Sequence, residues 1–161
     1  MTAPPQIRVE RIFISPGHSF FGRHEQPAAE HPTIEVSEVE CVAGKGLSGD
    51  RFFGFKENYK GQVTFFAAEV FDAVCQQLGV SGKSPGVTRR NVVTRGVDLN
   101  SLVGKNFVVQ GIEFAGVAEC SPCHWMNKVI APGAEAALHG RGGLRARILT
   151  NGVLRAEANS K

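Results

Sequence analysis

The chain has 161 residues, 42% of them hydrophobic, and a formal net charge of +3. This size predicts one compact domain over residues 1–161, with its core at about 7–156, that needs no disulfide staples. The chain has no basic and apolar leader and no run of about 18 apolar residues, so we expect a soluble cytoplasmic protein without a membrane partner.

The first part of the chain predicts two strands and one helix. Residues 7–14 and 34–42 are rich in β-branched side chains and partly alternate, which is typical of strands. From Ala67 to Leu78 the apolar residues recur at helical spacing, and Gly79 follows where a C-terminal cap belongs. We therefore expect a helix between the early strands and the rest of the chain.

The second part predicts short strands only. They are expected at residues 91–94, 106–109, 112–117, 144–149 and 153–156. Asn151-Gly152 separates the last two, and this dipeptide is the strongest signal for a two-residue hairpin. Short strands punctuated by 19 glycines predict a mainly β fold with some α (α+β), namely a closed or nearly closed β-barrel with one or two packed helices.

Two cysteines, Cys120 and Cys123, stand three positions apart, and His124 follows the second. Four interpretations remain open: a structural zinc site, a thioredoxin-type redox pair, two buried inert cysteines, or a single thiolate that binds a metal or cofactor. A structural zinc site would need a second pair of ligands, which the sequence lacks. A thioredoxin-type pair is expected early in a βαβ unit, whereas this one lies late in the chain. These considerations favour the single thiolate.

Two further motifs are ambiguous by themselves. The glycine-rich segment 46–51 ends in Asp50-Arg51, so it either presents backbone N–H groups to an anion or turns the chain. Arg89-Arg90 is either a solvated surface pair or a guanidinium fork for phosphate or carboxylate. The later half of the chain also collects most of the arginines, which indicates an anionic ligand more than a nucleic-acid partner.

In order and spacing, these motifs resemble the MOSC domain family, which is named for the C-terminal domain of molybdenum cofactor sulfurase. The resemblance extends from about Ile7 to Ala156. Its motifs are Gly46–Phe52, Gln62–Phe66, Arg89–Leu99, Leu102–Gly111, Cys120–Cys123 and Arg141–Arg147. The chain is thus similar to a stand-alone MOSC protein.

The resemblance implies a barrel that holds molybdenum cofactor (molybdopterin with Mo), with Cys123 as the metal or sulfur ligand. It also implies cofactor-binding roles for the residues that match the motifs, which are Asp50, Arg51, Arg89, Asn91, Ser121, Arg145 and Arg147. We add His124 for its position beside the thiol. A soft thiolate suits molybdenum, and guanidinium groups suit the phosphate of the cofactor.

The expected function is reduction of an N-hydroxylated small molecule at the cofactor, with electrons from an external redox partner. The sequence has no flavin, haem or iron–sulfur motif of its own. One alternative is a non-catalytic carrier that delivers cofactor, or a persulfide sulfur, to an acceptor enzyme. A second is a thiol-disulfide protein that uses Cys120 and Cys123.

Overall fold

Short strands and helices make up the part of the chain that the computed structural model describes, which is residues 7–16, 33–55 and 59–157. The strands are β1 (Arg8–Ile14), β2 (Ile34–Val36), β3 (Glu38–Val42), β4 (Gly46–Leu47), β5 (Val63–Ala67), β6 (Val92–Arg95), β7 (Asn106–Val109), β8 (Ile112–Glu119), β9 (Leu144–Ile148) and β10 (Gly152–Arg155). The helices are α1 (Ala68–Leu78), α2 (Trp125–Val129) and α3 (Ala134–Ala137), with 3₁₀ turns at Pro85–Thr88 and Leu99–Leu102. This confirms a mainly β fold with a few helices.

The predicted helix is present as α1, and it ends as the sequence indicates. Gly79 adopts a left-handed backbone with φ of 70°. In this conformation its N–H donates to the Gln76 carbonyl at 3.2 Å, and the Val80 N–H donates to the Cys75 carbonyl at 2.8 Å. Glycine reaches such φ values without a Cβ penalty, which explains the stop at this residue. None of the described helices has the length and apolarity that a membrane span requires.

The strands form two sheets. Seven strands pair in the order β2-β1-β6-β5-β9-β8-β7, and β5 and β6 are its parallel pair. The other three pair in the order β10-β3-β4. A core of apolar side chains lies between the sheets, and a second apolar cluster lies between the larger sheet and the helices. The larger sheet is therefore buried on both faces over much of its area.

The expected closed barrel is wrong, because the chain changes sheets at three points, after β2, after β4 and after β9, and the two sheets do not close on each other. Ser37 separates β2 in the larger sheet from β3 in the smaller one, so the strand predicted over 34–42 is in fact two. The Asn151-Gly152 hairpin is also wrong, since β9 and β10 belong to different sheets. Asn151 Oδ1 instead accepts a hydrogen bond from the Ala43 N–H at 2.7 Å. This bond holds the connection between β9 and β10 against the residue that follows β3 in the smaller sheet.

Alternation along β5 determines which residues reach the helix-facing side of the larger sheet. Val63 and Phe65 point into the core between the sheets, where the Phe65 ring meets Phe114 edge-on at 5.2 Å between centroids. Thr64 and Phe66 therefore point the other way, towards the helices. In the neighbouring strand Arg145 pairs with Thr64 and shares its face. This polar pair lies beside α2 and forms part of the candidate site.

Candidate functional site

A cleft of about 330 Å³ opens on this face beside α2. Small-molecule sites typically have volumes of about 300–1,000 Å³, so the cleft is large enough for one small ligand. Its lining combines a group of arginines, the cysteine segment and three aromatic residues, namely Arg51, Arg89, Arg90, Arg145, Cys120, Ser121, Cys123, Phe52, Tyr59 and Trp125.

The structure brings together five of the residues that the sequence predicts for the site. Those that line the cleft are Arg51, Arg89, Ser121, Cys123 and Arg145. Asp50 and Asn91 are buried behind it. His124 caps α2 next to Cys123, and Arg147 lies two residues beyond Arg145 on the same face of β9; neither lines the cleft.

The two cysteines of the motif differ in exposure. Cys120 is 7% exposed, and its N–H donates to the Gly143 carbonyl at 2.8 Å. Cys123 is exposed, and its carbonyl accepts from the Met126 N–H at 2.9 Å as α2 begins. Both thiols are free and both residues line the cleft, but Cys123 is exposed whereas Cys120 is buried. The two thiols therefore differ in their accessibility to a ligand.

The loop from Cys120 to Cys123, here called the cysteine loop, packs closely against Gly142, and Gly142 and Gly143 come directly before β9. A Cβ on Gly142 would lie 2.4 Å from the Cys120 carbonyl oxygen and 2.8 Å from Pro122 Cδ. A Cβ on Gly143, whose φ is 123°, would lie 2.6 Å from the Phe65 carbonyl oxygen. Both positions therefore require glycine, Gly142 because the cysteine loop approaches it closely and Gly143 because the β5 backbone does.

Arg90 holds this loop in place, a role that the sequence did not reveal. The side chain is 9% exposed, and its Nε donates to the Gly142 carbonyl at 2.9 Å. Its Nη2 donates to the carbonyls of Cys120 at 2.9 Å and Ser121 at 3.1 Å, and its Nη1 donates to the Thr88 carbonyl at 3.2 Å. One guanidinium thus joins the cysteine loop, the start of β9 and the end of the first 3₁₀ turn.

Asn91 uses its amide within the protein. Oδ1 accepts from both the N–H and the hydroxyl of Thr64, each at 3.0 Å. Nδ2 donates to the Phe13 carbonyl at 3.1 Å and to Asp50 Oδ1 at 3.3 Å. An amide has two donor hydrogens and two acceptor lone pairs, and these bonds use all four. The direct cofactor contact implied by the resemblance is therefore not available to this side chain as it stands.

Asp50 connects this network to the arginines of the cleft. Its Oδ1 also accepts from the Ser15 N–H at 2.9 Å and lies 4.0 Å from Arg51 Nη1. Burial lowers the pKa of Arg51, and the charge of Asp50 opposes that effect. Arg51 Nη1 is buried without a hydrogen-bond partner among the described residues. A ligand acceptor at this atom would satisfy it.

Arg89 brings a second positive charge to the cleft. Burial, and after it the nearby charge of Arg51, lowers the pKa of Arg89 to about 10. The group is still a cation at neutral pH. Its Nη1 donates to Thr33 Oγ1 at 3.2 Å. Because the described lining of the cleft contains arginines and no carboxylate, an anion placed between Arg51 and Arg89 would relieve their repulsion.

A classical metal site is not part of this arrangement. Across residues 7–16, 33–55 and 59–157, no three His, Cys, Asp or Glu side chains are grouped to hold a metal ion. The structural zinc interpretation therefore has no set of ligands in the described part of the chain.

The core cysteine Cys41 is not a candidate for the site. Burial raises the pKa of its thiol to about 12, so it is a poor nucleophile and ligand.

Comparison with known proteins identifies related folds. A model of the MOSC domain family matches residues 48–159. The YuaD protein of Bacillus subtilis has a similar structure, with a TM-score of 0.74 at 18% identity over 95% of this chain and 93% of that one. YiiM of Geobacillus stearothermophilus gives 0.64 at 15% identity over 93% and 71% of the two chains. YiiM of Escherichia coli gives 0.62 at 15% identity over 97% and 67%. These structures share the fold, and no curated protein matches the sequence.

Proposed function

The chain belongs to the MOSC domain family, and from that premise we propose that its cleft binds molybdenum cofactor, with Cys123 as the protein ligand to molybdenum. The observation that carries the proposal is the exposed Cys123 thiol in a cleft lined by several arginines. A soft anionic sulfur suits the metal, and fixed cations suit the cofactor phosphate. A single protein thiolate is sufficient here because the dithiolene of the cofactor supplies further sulfur ligands.

The residues present fit this group. Arg51 and Arg89 each offer guanidinium N–H donors that can bind phosphate oxygens in pairs. Burial, and after it the charge of Arg51, lowers the pKa of Arg89, so a bound phosphate gains more from this pair than from two solvated arginines. Arg90 and Asn91 support the site through hydrogen bonds within the protein, and Asp50 balances the charge of Arg51.

The proposed activity is reduction of N-hydroxylated small molecules. When bound, the cofactor would supply two-electron oxygen-atom-transfer chemistry at its molybdenum. The protein's part is to hold the thiolate at a fixed position through Arg90, to bind the phosphate, and to leave an opening beside Phe52 and Tyr59 for the substrate. An external redox partner would return the electrons.

Protein loaded with molybdenum cofactor should therefore reduce N-hydroxylated compounds catalytically. Purified from a cofactor-producing host and supplied with reduced viologen, it is expected to convert hydroxylaminopurines or amidoximes to amines or amidines. The product is measured by chromatography, and heat-denatured protein with the same molybdenum content is the control. If fully loaded protein reduces none of a broad panel yet passes cofactor or labelled persulfide sulfur to an acceptor enzyme, the carrier function replaces the reductase. The exposure of Cys123 suits that function equally.

The phosphate role of Arg89 can be tested with little effect on folding. Its backbone has φ of 61°, a left-handed conformation that glycine adopts more readily. Arg89→Gly is thus expected to fold with nearly wild-type stability while its cofactor affinity falls about ten- to a hundredfold, because one charge-assisted contact is lost. Cofactor content after dialysis measures the effect. Arg155→Ala, which removes an exposed arginine on β10, is the matched control; equal retention by both variants would argue against the assignment.

A further inference from the structure

A second cavity, of about 350 Å³, lies between the start of α1 and the segment that follows β6. It shares no lining residue with the cleft described above. Its apolar part consists of Ala67, Val70, Val97 and Leu99. These side chains are aliphatic, so the cavity suits a ligand with a small aliphatic side chain.

Three charged side chains also line this cavity, and one hydrogen bond to the backbone fixes each of them. Glu69 Oε2 accepts from the Gly96 N–H at 2.9 Å, and Asp98 Oδ1 accepts from the Asn100 N–H at 3.1 Å. Arg141 Nε donates to the Ala137 carbonyl at 3.0 Å. All three groups are therefore held in position before any ligand arrives, which lowers the entropic cost of binding.

The remaining polar atoms of these groups have no partner in the described part of the chain. Glu69 Oε1, Asp98 Oδ2 and both Nη atoms of Arg141 make no hydrogen bond there, and no ion pair within 4.0 Å joins the arginine to either carboxylate. Opposite charges thus line one cavity without neutralising each other. A ligand that carries both charges would complement them.

We propose that this cavity is a binding site for a free aliphatic α-amino acid, in which Arg141 binds the carboxylate, Glu69 and Asp98 bind the ammonium, and the apolar wall binds the side chain. A guanidinium binds a carboxylate through paired N–H donors, and carboxylates accept charge-assisted hydrogen bonds from an ammonium group. Glu69 and Asp98 are exposed, so a ligand with one charge alone leaves the other set to solvent and gains only one set of charge-assisted contacts.

Calorimetric titration with three related probes tests the proposal. L-leucine carries both charges, N-acetyl-L-leucine lacks the ammonium, and L-leucinamide lacks the carboxylate. Because each derivative loses one set of charge-assisted contacts, we expect L-leucine to bind about ten- to a hundredfold more tightly than either. Backbone amide shifts in a nitrogen-15 NMR spectrum should change mainly at residues 96–100 when L-leucine is added.

Two variants link each charge of the ligand to its partner. Arg141→Met should bring L-leucine and L-leucinamide to equal affinity, and Glu69→Gln combined with Asp98→Asn should do the same for L-leucine and N-acetyl-L-leucine. Asparagine remains a good N-cap, so the turn after Asp98 is kept. Arg155→Met is the control and should bind L-leucine normally. An absence of saturable L-leucine binding, or equal binding of all three probes by the wild type, would overturn the proposal.

Discussion

Cys123→Ala purified from a cofactor-producing host is expected to contain molybdenum only at background level, whereas Cys120→Ala should retain the wild-type amount. The physical reason is exposure, since both residues line the cleft but Cys123 is exposed whereas Cys120 is only 7% exposed. The Cys120 backbone, which Arg90 and Gly143 bind, is unchanged by substitution with alanine. Plasma mass spectrometry measures the metal, and fluorescence of the oxidised pterin measures the cofactor.

Both variants should remain folded, which separates loss of a ligand from loss of structure. Cys123 is exposed, so its truncation leaves no cavity, and Cys120→Ala removes one sulfur atom near the surface of the core. Circular dichroism and thermal unfolding provide the control. If the two folded variants hold equal amounts of molybdenum, Cys123 is not the ligand. If only Cys120→Ala loses the metal, the two roles are reversed.

The fold was predictable wherever local pattern and tertiary contacts agree. Helix α1 carries its own apolar stripe and a glycine stop, and both are visible in the sequence. The strands β7 and β8 lie where the sequence predicted them, and the turn at Gln110-Gly111 joins them with φ of 53° and 81° at its two residues. Here the turn and the pairing are neighbours along the chain, so no distant contact is needed to decide the result.

The predictions of a closed barrel and of a final hairpin were wrong, because the strand with which another strand pairs is not determined by local sequence. The strands β9 and β10 alternate as predicted, but β9 pairs with β5 and β8, and β10 pairs with β3. The Asn151 side chain binds Ala43, more than a hundred residues away along the chain. A dipeptide that usually closes a hairpin therefore serves to pass the chain between sheets.

Residue type and order were enough to predict five residues that line the cleft, but not the direction in which neighbouring side chains point. Arg89 and Arg90 are adjacent and identical in sequence, yet the first binds Thr33 at the cleft and the second binds four backbone carbonyls. Asn91 was expected at the cofactor, whereas its amide joins Asp50 to Thr64. Neither role follows from a motif, because both depend on carbonyls and side chains brought close by the fold.

Arg90→Met is expected to lower the free energy of unfolding by about 3 kcal/mol or more. The substitution keeps a long apolar stem but removes the donors of four backbone carbonyls, and each buried acceptor left unsatisfied costs about 1–3 kcal/mol. Water that enters from the cleft would offset part of that sum. Urea unfolding followed by circular dichroism measures the loss, and Arg89→Gly, at the adjacent arginine, serves as a control of nearly wild-type stability.

The same variant should release the cysteine loop, and alkylation detects this. In the wild type, iodoacetamide is expected to label Cys123 first and to spare Cys120 and Cys41, whose exposures are 7% and 0%. In folded Arg90→Met, Cys120 should become reactive while Cys41 stays protected, because only the loop loses its anchor. Arg90→Lys should label Cys120 almost as fast, since one ammonium cannot reach carbonyls on three segments. If Cys120 stays protected in both variants and stability is unchanged, Arg90 does not hold the loop.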